Sequence, residues 1–291
     1  MKRALIFGGS GFLGRFVVDE LHKENYDVTV VDTKKPKINR INFINKDVLI
    51  DLDINFEPYD YVFNFIAQPD IQESKEQVEL TFNLNVMLTI RILEKIKLLK
   101  NIHFVYSSSA YAVSASGLFY GISKWTSERI IEQYSKIYGL KYTILRYGSV
   151  YGVGSSQSNR IYRFAEEAIR TRKINFGGSG DEIREFIHVK DAARLTIIAI
   201  EDHEPNNSFM LTGIEKYSYH QLLLMIQEIF HGKLEINFHN MNYEGHYLIT
   251  PYQISQTVSK KIILTEYHDM GQGIIELVND LIHREDNENF I

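Results

Sequence analysis

Residues 3–21 read RALIFGGSGFLGRFVVDEL: a short apolar run, glycines at 8, 11 and 14, then a segment of helical period. This stretch constrains the fold more than any other, because a strand that turns on glycines straight into a helix is the opening of a parallel βαβ unit. Glycine meets two demands there. A tight turn wants positive φ, and a side chain would hold the backbone away from a pyrophosphate. The N–H groups that open the helix then face the phosphates, where the helix dipole favours negative charge. Gly8, Gly11 and Gly14, with Phe12 and Leu13 at the helix start, are therefore the expected dinucleotide-binding residues. Asp32 ends the next apolar run, 18 positions past Gly14. Its carboxylate suits both ribose hydroxyls and repels a 2′-phosphate, which favours NAD over NADP although Lys34 and Lys35 stand close by.

The rest of the first half repeats the same alternation. Apolar runs at 3–7, 28–31, 41–44, 61–66, 103–107 and 142–146 read as strands, and segments near 12–24, 74–99 and 120–138 read as helices. Strands apolar on both faces with helices between them predict an α/β fold with a doubly wound parallel sheet of Rossmann type. After about residue 150 the alternation loosens, and Gly152, Gly154, Gly177, Gly178 and Gly180 punctuate loops. The expected division is a dinucleotide-binding domain over 1–150 and a smaller substrate-binding C-terminal lobe over 151–291. A segment at about 185–213 is expected to return to the first domain, and the polar end 284–289 to fray.

Composition excludes several functions. The 291 residues contain no cysteine, so disulfides, thiolate metal sites and a cysteine nucleophile are ruled out. Ten histidines lie scattered with no carboxylate cluster beside them, so no metal is expected. A net charge of −5 with mixed signs offers no footprint for nucleic acid, and Lys34, Lys35, Lys37 and Arg40 read as a solvated loop. The apolar run 4–7 is too short for a signal peptide and no stretch is long enough for a membrane span, so a soluble, cytoplasmic protein is expected.

Asp47, with Val48 behind it, is placed to reach an adenine amino group; the plainer reading is a turn residue ending the third strand. The stretch FIAQP follows the fourth strand, at the carboxyl edge where open α/β sheets bind ligands, so Ala67 and Gln68 are expected to line the cofactor. Tyr120 and Lys124 stand four apart and so share one helix face. Alone that spacing is common, but here it follows a strand ending in three serines at the same carboxyl edge. A phenol with a pKa of about 10 is a poor base, and a nearby ammonium and an oxidised nicotinamide would both favour its phenolate. Tyr120 would then take a proton from a substrate hydroxyl while the carbon gives hydride to the nicotinamide.

With these residues in order, the chain resembles the short-chain dehydrogenase/reductase superfamily, in its extended branch of NAD-dependent sugar epimerases and dehydratases. The resemblance runs from residue 3 to about 195. It rests on GGSGFLG, Asp32, DV at 47–48, FIAQ, NV at 85–86, SSSA, YGISK, LRYGSVYG and GSGDEIREFIHVKDAARL. It implies Ser109 as the catalytic hydroxyl, Tyr120 as the base, and Lys124 as both its activator and a ribose ligand. It implies that Arg184 meets the diphosphate of a nucleotide sugar, the alternative being an ion pair with Asp181, Glu182 or Glu185. His188 and Asp191 are read as packing and helix-capping residues; Arg146 and Tyr151 lie near the mouth without an assigned role. A homodimer is implied on the same ground.

The reaction is narrowed by missing helpers. No Asp or Glu occurs between Asn101 and Ser127, and Ala110 and Tyr111 follow the serine where dehydratases and decarboxylating relatives carry an acid. Relatives that invert at C3 and C5 use a cysteine. A 4-epimerase needs neither, so a nucleotide-sugar 4-epimerase is the main reading. A sugar-nucleotide dehydrogenase or keto-reductase, and a non-catalytic NAD-binding scaffold, are the alternatives. One departure stands out: only ten residues separate Ser109 from Tyr120, with YAV replacing the usual VYG, which is expected to leave the mouth more open.

Overall fold

A computed structural model of the chain describes residues 1–38, 41–239, 245–250 and 260–288, the side chains of 285–288 excepted. Arg40 and Asn289 lie outside the described residues. Six early strands fall where the apolar runs predict them: β1 (Arg3–Phe7), β2 (Asp27–Asp32), β3 (Asn42–Asn45), β4 (Tyr61–Asn64), β5 (His103–Ser109) and β6 (Lys141–Tyr147). The later strands are β7 (Ser149–Tyr151), β8 (Lys173–Gly177), β9 (Ile183–Arg184), β10 (Phe186–His188), β11 (Asn207–Leu211), β12 (Tyr217–Ser218), β13 (Glu235–His239) and β14 (Lys260–Lys261). The large sheet runs β14-β11-β6-β5-β4-β1-β2-β3, every pair parallel. From β1 the chain steps one way through β2 and β3, then returns to lay β4, β5 and β6 on the other side. The loops after β1 and β4 therefore part, which opens a crevice at the carboxyl edge.

Helices cover both faces because the strands are apolar on both. On one face α1 (Phe12–Lys23) packs beside α7 (Val189–Glu201) over Ala4, Ile6, Val28 and Val30. On the other, α4 (Leu88–Ile96) and α5 (Leu118–Tyr138) lie over Leu5, Phe7, Phe104 and Ile144. Each such side chain contributes about 1.5–3 kcal/mol by leaving water. A second core, among Phe164, Phe176, Tyr219, Leu222 and Leu277, forms where α6 (Arg160–Thr171), α8 (Tyr219–Ile229) and α9 (Met270–Glu288) meet the β8·β13 pair. The expected fraying at 284 is corrected: α9 continues to Glu288, and Arg284 is held there by Asp280 at 2.6 Å, one turn earlier.

The helix expected at 74–99 is also corrected. It is broken into α2 (Ile71–Glu76), α3 (Val78–Phe82), a π turn (Asn83–Met87) and α4. Widening at the π turn sets the Asn85 carbonyl to accept from the hydroxyls of Thr89 at 2.9 Å and Ser127 at 2.8 Å. The Asn85 side chain turns the other way, its Oδ1 accepting from Gln68 N–H at 2.9 Å and its amide donating to Ser123 at 2.8 Å. One residue thus joins the loop after β4 to α5, a use typical of π turns near functional sites.

Three histidines are kept neutral by this packing. Burial brings His103 and His188 down to about 4, and burial with three nearby arginines brings His246 down to about 3. Their folded values lie below the unfolded one, so the stability they carry is complete above about pH 6.5 and is lost as pH falls toward 4. Each adds a slope of up to about 1.4 kcal/mol per pH unit across that window. Circular dichroism against pH should show cooperative unfolding that begins below pH 6, with a shallower slope in His103→Gln; a parent fold unchanged at pH 4 would contradict this account.

Candidate active site

The glycine turn sits in the crevice between β1 and β4. Gly8 has φ of 78°, and a Cβ there would lie 3.0 Å from Ile66 in the loop after β4. A Cβ on Gly14 would lie 2.2 Å from the Gly8 carbonyl oxygen, so α1 approaches the turn this closely only without one. Gly11 caps α1 with no side-chain bond to its first N–H groups, and Gly8, Gly11, Phe12, Leu13 and Gly14 line one cavity of about 580 Å³. A shallow glycine cradle facing an uncapped helix start fits a pyrophosphate. Asp32 stands beside the turn, outside the cavity wall: Ser10 N–H and Lys34 N–H donate to its two carboxylate oxygens, each at 3.1 Å. Ala67 lines the cavity; Gln68 does not, because Asn85 holds its backbone and Glu73 takes its side chain at 2.7 Å.

Strand β3 ends at Asn45, and exposed Asp47 accepts from Leu49 N–H at 3.0 Å as a turn residue. The Val48 side chain is buried in the core, which leaves only its backbone for a ligand.

Ser109, Tyr120 and Lys124 meet at the same cavity. Ser109 caps a 3₁₀ turn by accepting from Tyr111 N–H at 3.2 Å, and its hydroxyl favours the phenolate of Tyr120. Lys124, 2 % exposed, donates to the Ser107 carbonyl at 2.7 Å, its ammonium 5.9 Å from the Tyr120 ring centre. The expected acidic phenol is absent from the ligand-free chain. Burial pushes Tyr120 up to about 12 against the favourable Ser109 hydroxyl, and burial brings Lys124 down to about 7 against the pull of Glu128. A half-empty charge pair in a low-dielectric site favours both neutral forms.

The second lobe supplies a cationic wall that the sequence reading found only in part. Arg184, 1 % exposed, lines the cavity and stacks 4.2 Å from the Tyr247 ring centre and 5.5 Å from that of Tyr219. Of the alternative acid partners, Glu185 takes Lys261 and Thr212, each at 2.6 Å, and Glu182 takes Gly180 N–H. Arg160 lies 5.3 Å from the same Tyr219 ring, and Arg163 lies 3.7 Å from Asp70; both line the cavity. A signal for these two was present. They occupy the first turn of α6, capped by Asn159, where the helix dipole disfavours cations unless an anion sits in front.

The short loop after Ser109 does not leave the mouth open on this side. Residues 245–250 pack onto it, with Gly117 N–H donating to the Gly245 carbonyl at 2.8 Å, the Tyr111 hydroxyl 2.9 Å from His246 Nδ1, and Tyr111 and Tyr247 ring centres 4.5 Å apart. Arg146 and Tyr151 are corrected as well, for both are buried rather than at the mouth. Arg146 grips Glu128, and Tyr151 packs edge-on against His188 with centres 5.3 Å apart. Asp191 latches the segment before α9, accepting from His268 N–H and Nδ1 at 2.7 Å. His188 stacks on His268 at 4.4 Å.

Comparison with known proteins agrees with this geometry. A putative UDP-glucose 4-epimerase of Methanocaldococcus jannaschii is 31% identical over 221 residues, 67% of this chain and 72% of the relative. The structure of UDP-glucuronic acid 4-epimerase from Bacillus cereus, in complex with UDP-glucuronic acid and NAD, superposes with a TM-score of 0.81 at 20% identity, covering 97% of this chain and 99% of that one. UDP-glucose 4-epimerase from Thermotoga maritima, with UDP-glucose, gives a TM-score of 0.77 at 23% identity and the same coverage. The sequence model of the NAD dependent epimerase/dehydratase family matches residues 4–211, more than half of the chain. With the glycine cradle, the serine, tyrosine and lysine at one cavity, and that match across both, this chain belongs to the NAD-dependent epimerase/dehydratase family.

Proposed function

We infer that this chain is an NAD-dependent nucleotide-sugar epimerase acting at C4. The observation that carries the reading is that Ser109, Tyr120 and Lys124 line the one cavity that the glycine turn floors. Gly8, Gly11 and Gly14 hold the pyrophosphate of NAD, Phe12, Leu13 and Ala67 line it, and Asp32 and Lys124 hold its riboses. The Val48 backbone is left for the adenine. Bound NAD supplies a hydride acceptor for the C4 carbon and then the donor of the same hydride. Tyr120 removes the C4 hydroxyl proton and later returns it to the same oxygen, once hydride has come back to the other face of the carbon, and Ser109 orients that hydroxyl. Arg184 and Arg160, flanking Tyr219, hold the diphosphate through charge-assisted donors while the keto sugar turns between its faces.

The lobe of residues 151–291, less the strands and helix returned to the large sheet, is the substrate side. Four exposed apolar side chains, Leu80, Met87, Ile122 and Trp125, sit on the helices along one face of that sheet, and we assign them to contact with a second copy in a homodimer. No described helix is long and apolar enough to cross a membrane, and a cytoplasmic setting suits a cysteine-free enzyme fed by nucleotide sugars. Denatured, purified protein should release NAD, and the native protein should interconvert UDP-glucose and UDP-galactose, or the corresponding uronates, without added cofactor. An empty site that turns over only with added NADPH would replace this reading with the keto-reductase.

A further inference from the structure

Tyr120, Lys124 and Glu128 follow one another at four-residue intervals on α5 and so form one row along it. Each faces residues 107–109 of β5. Tyr120 lines the cavity beside Ser109, Lys124 donates to the Ser107 carbonyl at 2.7 Å, and the Ser108 hydroxyl donates to Glu128 Oε1 at 2.6 Å. The spacings agree: four helix residues advance about 6 Å and two strand residues about 6.6 Å, so one stagger satisfies both Tyr120 and Lys124.

Glu128 is fully buried and does not line the cavity. Its two oxygens take Arg146 from β6 in a fork, Nε at 2.9 Å and Nη2 at 2.7 Å. Stability alone is a poor reason for this ion pair, since well-packed apolar side chains of similar volume commonly do as well. Its place behind the reacting groups suggests another reason.

We propose that Glu128 is a positioning residue for the reaction: gripped by Ser108 and Arg146, it fixes the stagger of α5 on β5 and sets a carboxylate one helical turn behind Lys124. The consequence for turnover rests on the epimerase reading; the geometry does not. The groups facing Glu128 are Ser108 and Tyr106 from β5, Arg146 and Tyr142 from β6, and Arg129 of its own helix at 3.7 Å. Those facing Lys124 are the Ser107 carbonyl, the Tyr106 ring at 5.0 Å and the Tyr120 ring at 5.9 Å. Among these described neighbours Glu128 is the one carboxylate, and it opposes the burial that draws Lys124 down to about 7.

The test uses ligand-free protein carrying ¹³Cε-lysine, with the Lys124 signal identified as the one missing from Lys124→Met. In Glu128→Gln the Lys124 titration midpoint should fall by about one pH unit or more, a tenfold change in proton affinity. The pH profile of kcat/KM should move toward acid with it, because the lost negative charge lowers the proton affinity of Tyr120 as well. An unchanged midpoint overturns the proposal even if the variant is slow, since a merely structural contact would slow turnover without moving Lys124. If Glu128→Gln does not fold, the double variant Glu128→Gln with Arg146→Met leaves neither charge buried, and its Lys124 midpoint should lie about one pH unit or more below that of Arg146→Met alone, an equal midpoint overturning the proposal. The nuclear magnetic resonance arm uses no substrate, so a chain inactive on every nucleotide sugar would remove the epimerase reading and leave this one standing or falling on its own midpoint.

Discussion

Tyr120→Phe should lower kcat for 4-epimerisation by about 10²- to 10⁴-fold, the range for loss of a positioned acid–base group. Its melting temperature should stay close to that of the parent. The substitution deletes one oxygen, Ser109 beside it keeps its bond from Tyr111 N–H, and the half-buried ring still fills the same space. KM should move little, because the phenol acts on a proton rather than on the diphosphate held by the second lobe. Burial drives Tyr120 up to about 12 in the ligand-free chain, so proton removal at neutral pH waits on positive charge brought into the cavity. The parent should therefore show almost no phenolate absorbance at pH 8 when stripped of cofactor. Equal epimerase activity in parent and variant would remove Tyr120 from the mechanism.

Gly14→Ala should be the most damaging single-methyl change in the first lobe. The added carbon would stand 2.2 Å from the Gly8 carbonyl oxygen and 3.0 Å from the Gly9 Cα, both backbone atoms that cannot rotate away. Either α1 moves off the sheet, lifting its own Val17, Val18 and Leu21 out of the core, or the turn deforms. Overpacking of this kind costs about 1–3 kcal/mol, read as a lower denaturant midpoint, together with loss of retained NAD. Gly11→Ala separates the two effects. A Cβ there meets only the Gly8 oxygen, at 3.2 Å, and the backbone is ordinary extended chain, so the fold should hold while NAD retention falls. A Gly14→Ala protein as stable as the parent and still loaded with NAD would refute both the close helix approach and the cradle.

Much of this was legible in the amino acids because it depends on neighbours in the chain. Strand periodicity, the glycine turn and the four-residue row of Tyr120 and Lys124 are local, and local sterics and helix geometry hold wherever such segments occur. The early strands and α5 accordingly fall within a few residues of expectation. Asp47 shows the limit: its residue type suits both a ligand and a turn, and only the fold shows that β3 ends at Asn45 and that Asp47 accepts from Leu49 N–H.

The sequence by itself determined the parallel sheet, the dinucleotide turn and the order of the serine, tyrosine and lysine proposed to react, because each is written into contiguous residues. Tertiary structure decided what those side chains feel. Burial, rather than the expected ammonium, governs the proton on Tyr120; Arg160 and His246 reach the cavity from segments 86 positions apart; and Glu128 stands beneath Lys124, gripped by Arg146 from the neighbouring strand. Such environments arise from desolvation and from charges brought together across the chain, and neither can be computed until the fold has placed them.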